Sequence, residues 1–349
     1  MKHFIKAALA LILTLCFSLG LCSCGTPRDK VVKIYNWGDY IDPEVITSFE
    51  KETGYKVKYV KFETNETMYA KIANGNTDYD VIVPSDYMIE KMISENMLEK
   101  IVFSNIDNYK YINKEFKDLA YDPTNEYSVP YMWGTLGILY NKKMVNGTID
   151  SWTALWDEQY SGNIMMYNSS RDSIGITLMM LGYSLNSTDD KELDEAKQKL
   201  ISQIPLVSGY VVDEVKDKMI GGEAALALAW AGDATYCVEK NPDLDYVIPK
   251  EGSNIFFDAM CIPKGCGNKE GAQAFINYMC KPETSALNAS YIGYSTPENE
   301  AKLLMGEQGE SPIAYPDVTK YRLEVFKDVG SYTKVYDKMW TEILAAIDN

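Results

Sequence analysis

Histidine is nearly absent from this 349-residue chain, whose single histidine is His3. A chain body without histidine has no Ser-His-Asp or Cys-His nucleophilic triad, no histidine-ligated zinc and no ordinary proton shuttle at neutral pH. The lack of histidine does not exclude catalysis by carboxylates alone. We therefore expect a protein that binds a ligand without transforming it and that holds neither a metal ion nor a cofactor.

Cysteine is also scarce and shows no C-x-x-C spacing. Beyond the N-terminal region the cysteines are Cys237, Cys261, Cys266 and Cys280, and three of them fall in apolar runs. This placement is typical of buried free thiols. A four-thiolate metal site and a Cys261–Cys266 disulfide are the alternatives, and no feature of the sequence favours either.

Positive charge is in deficit, with 34 lysines and arginines against 50 aspartates and glutamates and a net charge of −16. An acidic surface disfavours nucleic acid, which carries the same sign of charge, and it steers cations toward the protein. The composition therefore predicts no nucleic-acid partner and favours a cationic one.

The N-terminus has the pattern of an export signal. Lys2 and Lys6 precede an apolar run over residues 7–21, which is too short to span a bilayer. Removal of residues 1–23 would take away two lysines and no acidic residue, so that 326 residues with a net charge of −18 remain. We expect a location outside the cytoplasm, either at the outer face of the cell membrane or in the periplasm.

The apolar run ends in Leu21-Cys22-Ser23-Cys24-Gly25, which resembles the lipobox of bacterial lipoproteins. Cys24 is the predicted lipidation site and mature N-terminus. Cys22 is a poorer candidate because Leu21 would occupy the cleavage position, where a small side chain is wanted. The alternative is a secreted chain whose Cys24 stays free.

Strand and helix signals alternate after a short polar tether at residues 24–30. Repeated β-α units of this kind predict a parallel sheet. Helix starts are indicated by capping residues such as Asp42, which precedes a proline, and Thr64. The predicted strands are Val31–Trp37, Lys56–Phe62, 80–84, Ile164–Tyr167, 224–231 and 255–262. The predicted helices include 43–54, 64–74, 86–97, 169–181 and Lys269–Met279.

Three groups combine an aromatic residue with an aspartate at or near the end of a predicted strand. An aromatic face attracts a desolvated cation by roughly 2 kcal/mol, and a carboxylate supplies the counter-charge. Ligands of parallel sheets bind beyond the carboxyl ends of the strands, so these groups are predicted to face one cleft. The groups are Trp37 with Asp39 and Tyr40, Trp230 with Asp233, and Phe256 with Asp258; Ser85 and Tyr87 follow the third strand.

Several motifs occur in the order found in one family. They are Ile34-Tyr35-Asn36-Trp37-Gly38-Asp39-Tyr40, residues 65–71 and 79–85, Ser151-Trp152 with Leu155-Trp156, Trp230-Ala231-Gly232-Asp233 and Ile292-Gly293-Tyr294. With these motifs the chain resembles the spermidine/putrescine-binding receptors of bacterial ABC importers. The resemblance implies an α/β fold of the two-lobed periplasmic-binding-protein type (type II), in which each lobe is a mixed sheet flanked by helices and the ligand cleft lies between the lobes.

The resemblance also implies a site built as an aromatic box with carboxylates at its ends. Some of the matching residues have a competing structural role. Asp172 is favourable in a first helical turn without any ligand, and Asp258 in an apolar strand needs a partner, either a lysine or arginine or a ligand amine. The implied ligand-binding residues are Trp37, Asp39, Tyr40, Ser85, Tyr87, Asp172, Trp230, Asp233, Phe256, Asp258 and Tyr294.

The expected organisation is a signal peptide, a tether and two lobes that each use two stretches of chain. The stretches are 1–23 for the signal peptide, 24–30 for the tether, 31–135 and 251–300 for the first lobe, and 136–250 and 301–349 for the second lobe. The expected partners are a small polyamine, a membrane permease and, through the lipid, the membrane, with the protein itself a monomer.

The choice of ligand stays open at this point. Gly38, Ser169, Phe256 and Phe326 stand where spermidine receptors of the family often carry more polar or larger residues, which favours a diamine. A sugar or oligosaccharide receptor of the same fold is an alternative, because aromatic platforms with carboxylates also suit sugar rings. A carboxylate-based glycosidase and a lipid-anchored adhesion protein are alternatives of other classes.

Overall fold

The computed structural model describes residues 27–75 and 78–347. The predicted signal peptide and Cys24 lie outside the described residues. The strands are β1 Val31–Trp37, β2 Lys56–Phe62, β3 Val81–Ile82, β4 Ser128–Asn141, β5 Ile164–Tyr167, β6 Val207–Val211, β7 Leu226–Trp230, β8 Leu244–Val247, β9 Ser253–Cys261 and β10 Leu323–Glu324. The α-helices are α1 Pro43–Thr53, α2 Asn65–Ala73, α3 Asp86–Ser94, α4 Ser170–Met180, α5 Asp190–Gln203, α6 Glu214–Ile220, α7 Ala231–Lys240, α8 Lys269–Met279, α9 Pro282–Ile292, α10 Asn299–Leu304 and α11 Thr333–Ala345.

Local capping fixes the helix ends that the sequence predicts. The Asp42 carboxylate accepts a hydrogen bond from the Glu44 backbone at 2.8 Å, and α1 ends at Gly54 with a φ of 76°. At α2 the Thr64 and Thr67 side chains cap each other's backbone. These two helix starts are therefore confirmed. The predicted strand at 80–84 is shorter in the structure, because only Val81–Ile82 pair with β1.

The strands form one continuous path in the order β2-β1-β3-β9-β4-β7-β5-β6, with β10 beside β9 and β8 beside β4. β1 is parallel to β2 and β3, and β5 is parallel to β6 and β7. Between these two parallel sets, β4 and β9 run antiparallel to each other. The first part of β4 pairs with β9, and its later part pairs with β7 and β8. The two parallel sets are thus joined by the paired β4 and β9.

Separate apolar cores belong to the two halves of this path. One core includes Val32, Phe49 and Phe275, and another includes Trp152 and Leu226. The α11 residues Tyr336, Trp340 and Ile343 pack into the second of these cores. This arrangement is the two-lobed α/β fold that the resemblance implies, with a mixed sheet in each lobe.

The chain after residue 300 contacts both lobes, since Ile313 packs against the core that includes Trp152. Tyr315 packs its ring 6.0 Å from that of Trp133, and its hydroxyl accepts a hydrogen bond from the Thr296 backbone at 3.0 Å. Residues 333–345 then form α11 on the second lobe. The lobe boundaries themselves stay a prediction.

Residues 28–30 are held against the first lobe by an ion pair. They form a 3₁₀ helix, and the Arg28 guanidinium contacts the buried Asp80 carboxylate at 2.7 Å. The same carboxylate accepts hydrogen bonds from the backbone of Gly267 and Asn268 at 3.1 and 2.8 Å. The backbone of Lys33 donates a third such bond at 2.8 Å, so this buried carboxylate is well satisfied and ties residues 28–30 to the first lobe.

Cys237, Cys261, Cys266 and Cys280 are free thiols in the structure, and all but Cys266 are buried. Cys261 and Cys266 are therefore not joined in a disulfide. No helix between residues 27 and 347 has both the length and the apolar character required to cross a membrane, leaving aside residues 76 and 77.

Candidate functional site

A cleft is bordered by β1, the starts of α3, α4 and α7, and β9. It brings together residues that are far apart in the chain, and every described residue that the sequence predicts for the site lines it. These residues are Trp37, Asp39, Tyr40, Ser85, Tyr87, Asp172, Trp230, Asp233, Phe256, Asp258 and Tyr294. Further lining residues include Asn65, Glu66, Tyr167, Arg171, Asp213 and Phe326.

Asp258 is the least satisfied carboxylate of the cleft. Its side chain is almost fully buried, with the residue only 4% exposed, and its Oδ2 accepts a hydrogen bond from the Tyr40 hydroxyl at 2.6 Å. Its Oδ1 is buried and has no hydrogen-bond partner among the described residues. Burial raises the pKa of Asp258 to about 7, against the effect of the Ser85 and Tyr40 hydroxyls. No lysine or arginine of the described chain pairs with Asp258, so the alternative of an internal cation there is wrong.

Asp233 lies in the first turn of α7 and is surrounded by hydroxyl groups. The Tyr167 and Tyr294 hydroxyls donate hydrogen bonds to its two oxygens at 3.1 and 3.2 Å, and the Lys216 ammonium lies 3.9 Å away. Burial raises the pKa of Asp233, while Lys216 and both hydroxyls act in the opposite direction. The helix cap is Trp230 rather than Asp233, so capping does not account for this aspartate.

Gly232, directly before Asp233, leaves room for the Tyr294 ring. A Cβ atom at this position would lie 2.0 Å from Tyr294 Cδ2, which is far inside van der Waals contact. The Tyr294 ring in turn packs edge-on to Tyr40 at 4.7 Å. The glycine of the Trp-Ala-Gly-Asp motif is therefore required by the approach of an aromatic ring that holds Asp233.

Aromatic rings from both lobes line the cleft. The Trp37 and Trp230 rings pack edge to face, with 6.2 Å between their centroids. The centroid of the Tyr167 ring lies 4.2 Å from that of Trp230. The Trp37 indole is fixed by its hydrogen bond to the Val83 carbonyl at 2.9 Å. The Phe256 ring is buried, and its centroid lies 6.3 Å from that of Tyr294. Faces of this kind attract cations and cover methylene groups.

Asp172 and Arg171 are neighbours in the chain but do not form an ion pair. The Ser169 hydroxyl, which caps α4, donates to Asp172 at 2.6 Å. Burial raises the pKa of Asp172, and Ser169 and Trp230 oppose the shift. The Arg171 guanidinium instead lies between aromatic rings, 4.7 Å from the Phe326 ring and 5.1 Å from the Tyr87 ring. Asp172 thus lies in the first turn of a helix, as predicted, and also lines the cleft.

Asp39 differs from the other carboxylates because it is open to solvent and already paired. Its side chain is 54% exposed, and it contacts Lys61 at 3.2 Å and Lys216 at 3.1 Å. Partial burial raises the pKa of Asp39, but the two ammonium groups outweigh this effect, so the net direction is downward. The first aromatic-aspartate group is therefore the most polar end of the cleft.

Asn65 and Glu66, which are hydrogen-bonded to Tyr87, were not among the predicted site residues. The Tyr87 hydroxyl donates to Glu66 at 2.8 Å and accepts from the Asn65 amide at 3.1 Å. Both neighbours lie in the family motif at 65–71, which is the signal that could have found them. Tyr167, at the end of β5, had the same strand-end position as Trp37. Lys216 had no such signal, because a lysine on a short charged helix looks like a solvated surface residue.

The fold and the cleft define a class of protein, namely a two-lobed receptor for a small solute. The pattern of one family, the bacterial extracellular solute-binding proteins, matches residues 44–318, and the chain belongs to this family. Membership confirms the predicted fold, the location outside the cytoplasm and a binding rather than catalytic role.

Individual relatives within this family are more informative than the family as a whole. The spermidine/putrescine-binding periplasmic protein of Salmonella typhimurium is 35% identical over 332 residues, which cover 94% of this chain and 95% of that protein. The putrescine-binding periplasmic protein SpuD of Pseudomonas aeruginosa is 32% identical, with 98% and 99% covered. These similarities confirm the resemblance that the sequence motifs indicate.

Solved structures agree with the sequence relatives. A putative spermidine/putrescine ABC transporter protein of Listeria monocytogenes has a TM-score of 0.88 and 44% identity, covering 90% of this chain and 99% of that one. The substrate-binding protein PotD of a spermidine/putrescine ABC transporter from Streptococcus pneumoniae has a TM-score of 0.76 and 43% identity, with 91% and 99% covered.

Proposed function

We propose that this protein captures a polyamine outside the cytoplasm and delivers it to the membrane permease of an ABC importer. The observation that carries the proposal is the buried Asp258 Oδ1, which has no hydrogen-bond partner among the described residues. A buried carboxylate oxygen without a donor is costly, and an alkylammonium group supplies both the donor and the opposite charge. The names of the relatives support the same ligand class.

The cleft suits the chemistry of a short polyamine along its length. Buried carboxylates at Asp258 and Asp233 supply charge for two ammonium groups, and Trp37 and Trp230 offer faces for the methylenes between them. We propose a diamine such as putrescine as the preferred ligand, because Phe256 and Phe326 are apolar lining residues that give no charge to a further amine. Closure follows from ligand contacts that exist only when both lobes reach the ligand.

The remaining parts of the proposal concern the setting of the receptor. Lipidation at Cys24 would keep the protein at the membrane, close to its permease, and the protein would act as a monomer. The Arg28 to Asp80 clamp supports this arrangement, since it fixes the first lobe only four residues after the proposed lipid attachment. Four residues span at most about 14 Å, so the first lobe would lie near the membrane.

Titration calorimetry of residues 25–349 against putrescine, cadaverine and spermidine tests the proposed function. We expect heat of binding for at least one amine, and Asp233→Asn should weaken that affinity at least tenfold, about 1.4 kcal/mol, because the substitution removes a buried negative charge. Asp150→Asn is the matched control, since Asp150 is exposed and pairs with Lys250. Failure of all three amines, or binding of a neutral sugar with the same affinity in both variants, would reject the polyamine assignment.

A further inference from the structure

Asp258 lies where a negative charge would have no counter-charge. The residue is 4% exposed, its Oδ2 accepts a hydrogen bond from the Tyr40 hydroxyl at 2.6 Å, and its Oδ1 has no partner among the described residues. Ser85, whose backbone forms an isolated bridge with that of Asp258, offers only another neutral hydroxyl. An ionised carboxylate in these surroundings is a buried and unpaired charge, which is costly.

The charged and titratable groups around Asp258 do not supply a cation among the described residues. Asp86 at the start of α3 and Asp172 in the first turn of α4 are buried carboxyls that repel a negative charge at Asp258. The Arg171 guanidinium stacks 5.1 Å from the Tyr87 ring, and its charge acts on Asp86 and Asp172. The other titratable groups coupled to Asp258 are the phenols of Tyr40, Tyr121, Tyr131 and Tyr294. Burial in these surroundings raises the pKa of Asp258 to about 7, so the carboxyl carries a proton below neutral pH in the ligand-free protein.

We propose that the receptor takes up its amine in exchange for the proton of Asp258, so that the pH outside the cytoplasm sets its affinity. The inference rests on the proposed function, in which an ammonium group of the ligand contacts Asp258. The O–H bond of the Asp258 carboxyl breaks, the proton leaves to solvent, and the carboxylate pairs with an ammonium N–H. The ligand keeps its own protons, because a primary alkylamine, like lysine, has a pKa of about 10.4.

The exchange predicts the direction in which affinity depends on pH. An ammonium group stabilises only the ionised form of Asp258, so affinity is highest above the pKa of the ligand-free carboxyl and falls as pH decreases through it. With a pKa of about 7, affinity should fall about tenfold from pH 8 to pH 6. Over the same range the protons released per bound amine should rise from about 0.1 to about 0.9. Carboxylates that were already ionised in the empty cleft would release none.

Titration calorimetry with putrescine, in two buffers of different ionisation enthalpy at each of pH 6, 7 and 8, measures both quantities. Tyr40→Phe removes a hydroxyl that opposes the effect of burial on the pKa of Asp258, so the midpoint of the proton release should move to higher pH. Asp213→Asn is the matched comparison, because burial raises the pKa of this second cleft carboxyl to about 6. It should keep at least half of the release at pH 7. The exposed Asp150→Asn should behave like the unmodified protein.

Thermal unfolding checks that each variant is folded before titration. Normal putrescine binding whose affinity changes less than threefold between pH 6 and pH 8 overturns this inference while leaving the proposed function intact. A release that keeps its midpoint in Tyr40→Phe, or that disappears in Asp213→Asn, overturns the assignment of the proton to Asp258. If the unmodified protein binds no amine even at pH 8, the proposed function fails and this inference with it.

Discussion

At the scale of single residues, the buried aspartates of this protein fall into two kinds. Each oxygen of Asp86 accepts a backbone hydrogen bond, from Tyr87 at 2.7 Å and from Phe257 at 3.0 Å, although burial still raises the pKa of Asp86 well above its ordinary value. Asp258 accepts a hydrogen bond from the Tyr40 hydroxyl, and the Ser85 hydroxyl also lowers its pKa, but its Oδ1 has no partner within hydrogen-bond distance in the described chain. The two aspartates therefore differ in whether each oxygen has a donor, and a buried oxygen without a donor is a cost that a bound cation offsets.

The Asp258→Asn variant should be more stable than the unmodified protein at neutral pH but unable to bind amines tightly. A pKa raised from 3.8 to about 7 means that ionisation of Asp258 costs the folded state stability as pH rises from about 4 through 7. Three pKa units correspond to about 4 kcal/mol, from which an unpaired amide subtracts about 1–3 kcal/mol, so we expect a gain of about 2 kcal/mol at pH 7.

Urea unfolding at pH 5 and pH 7.5, without ligand, measures this gain. The advantage of the variant should shrink at the lower pH, where Asp258 of the unmodified protein is protonated in the folded state. Asp150→Asn serves again as an exposed control. A variant that is less stable than the unmodified protein at both pH values would contradict the assignment of Asp258 as an unsatisfied carboxylate.

At the scale of elements, the start of α7 shows how a strand end becomes part of a site. β7 ends at Trp230, and the helix begins with Ala231, so the backbone turns at once and carries Asp233 into the cleft. Gly232 permits this turn to lie against the aromatic ring of Tyr294. The Tyr294 hydroxyl then donates a hydrogen bond to Asp233, which the turn brings into the cleft.

Gly232→Ala should disrupt this junction. The new methyl group would meet the Tyr294 ring, which is buried and packed on Tyr40 and cannot move aside freely. We expect at least a tenfold loss of amine affinity by calorimetry, together with a lower melting temperature. Gly209→Ala in β6 is the matched control, since a Cβ atom there meets only Val211 at an ordinary 3.9 Å. Full affinity in Gly232→Ala would show that the position of Tyr294 is irrelevant to the ligand.

At the scale of the whole molecule, two features act together. The chain carries a net charge of −16, and the cleft between the lobes concentrates carboxylates from both of them. Low-dielectric walls focus the field of such charges toward the opening. A cationic ligand is therefore attracted before it makes any contact, and the contacts made after entry hold it.

This attraction should appear in the dependence of the association rate on salt. Raising ionic strength from 0.01 to 0.1 M shortens the screening length from about 30 to about 10 Å, so we expect the association rate constant for putrescine to fall at least threefold. The dissociation rate should change less, because the bound amine is buried and poorly screened. Stopped-flow tryptophan fluorescence, reporting on Trp37 and Trp230, measures both rates. An association rate that is independent of salt would argue against steering.

The sequence by itself determined the local structure and the composition of the site. Helix starts at Asp42 and Thr64 depend on side chains that cap backbone groups two or three residues away, so contiguous sequence encodes them. Strand-end positions are local as well, and together with the family resemblance they identified residues that all line one cleft. Whether these residues bind the ligand stays a prediction for the experiments above.

Only the tertiary structure decided which side chains form hydrogen bonds and ion pairs with one another in the cleft. Tyr40 bonds to Asp258 across 218 residues of sequence, and Lys216 reaches Asp39 across 177. Such pairs depend on the order of strands in the sheet and on the way β4 and β9 join the lobes, which local patterns do not specify. The partnerless oxygen of Asp258 and the internal cation at Asp39 were therefore invisible in the sequence, because each results from the packing of distant segments around one cleft.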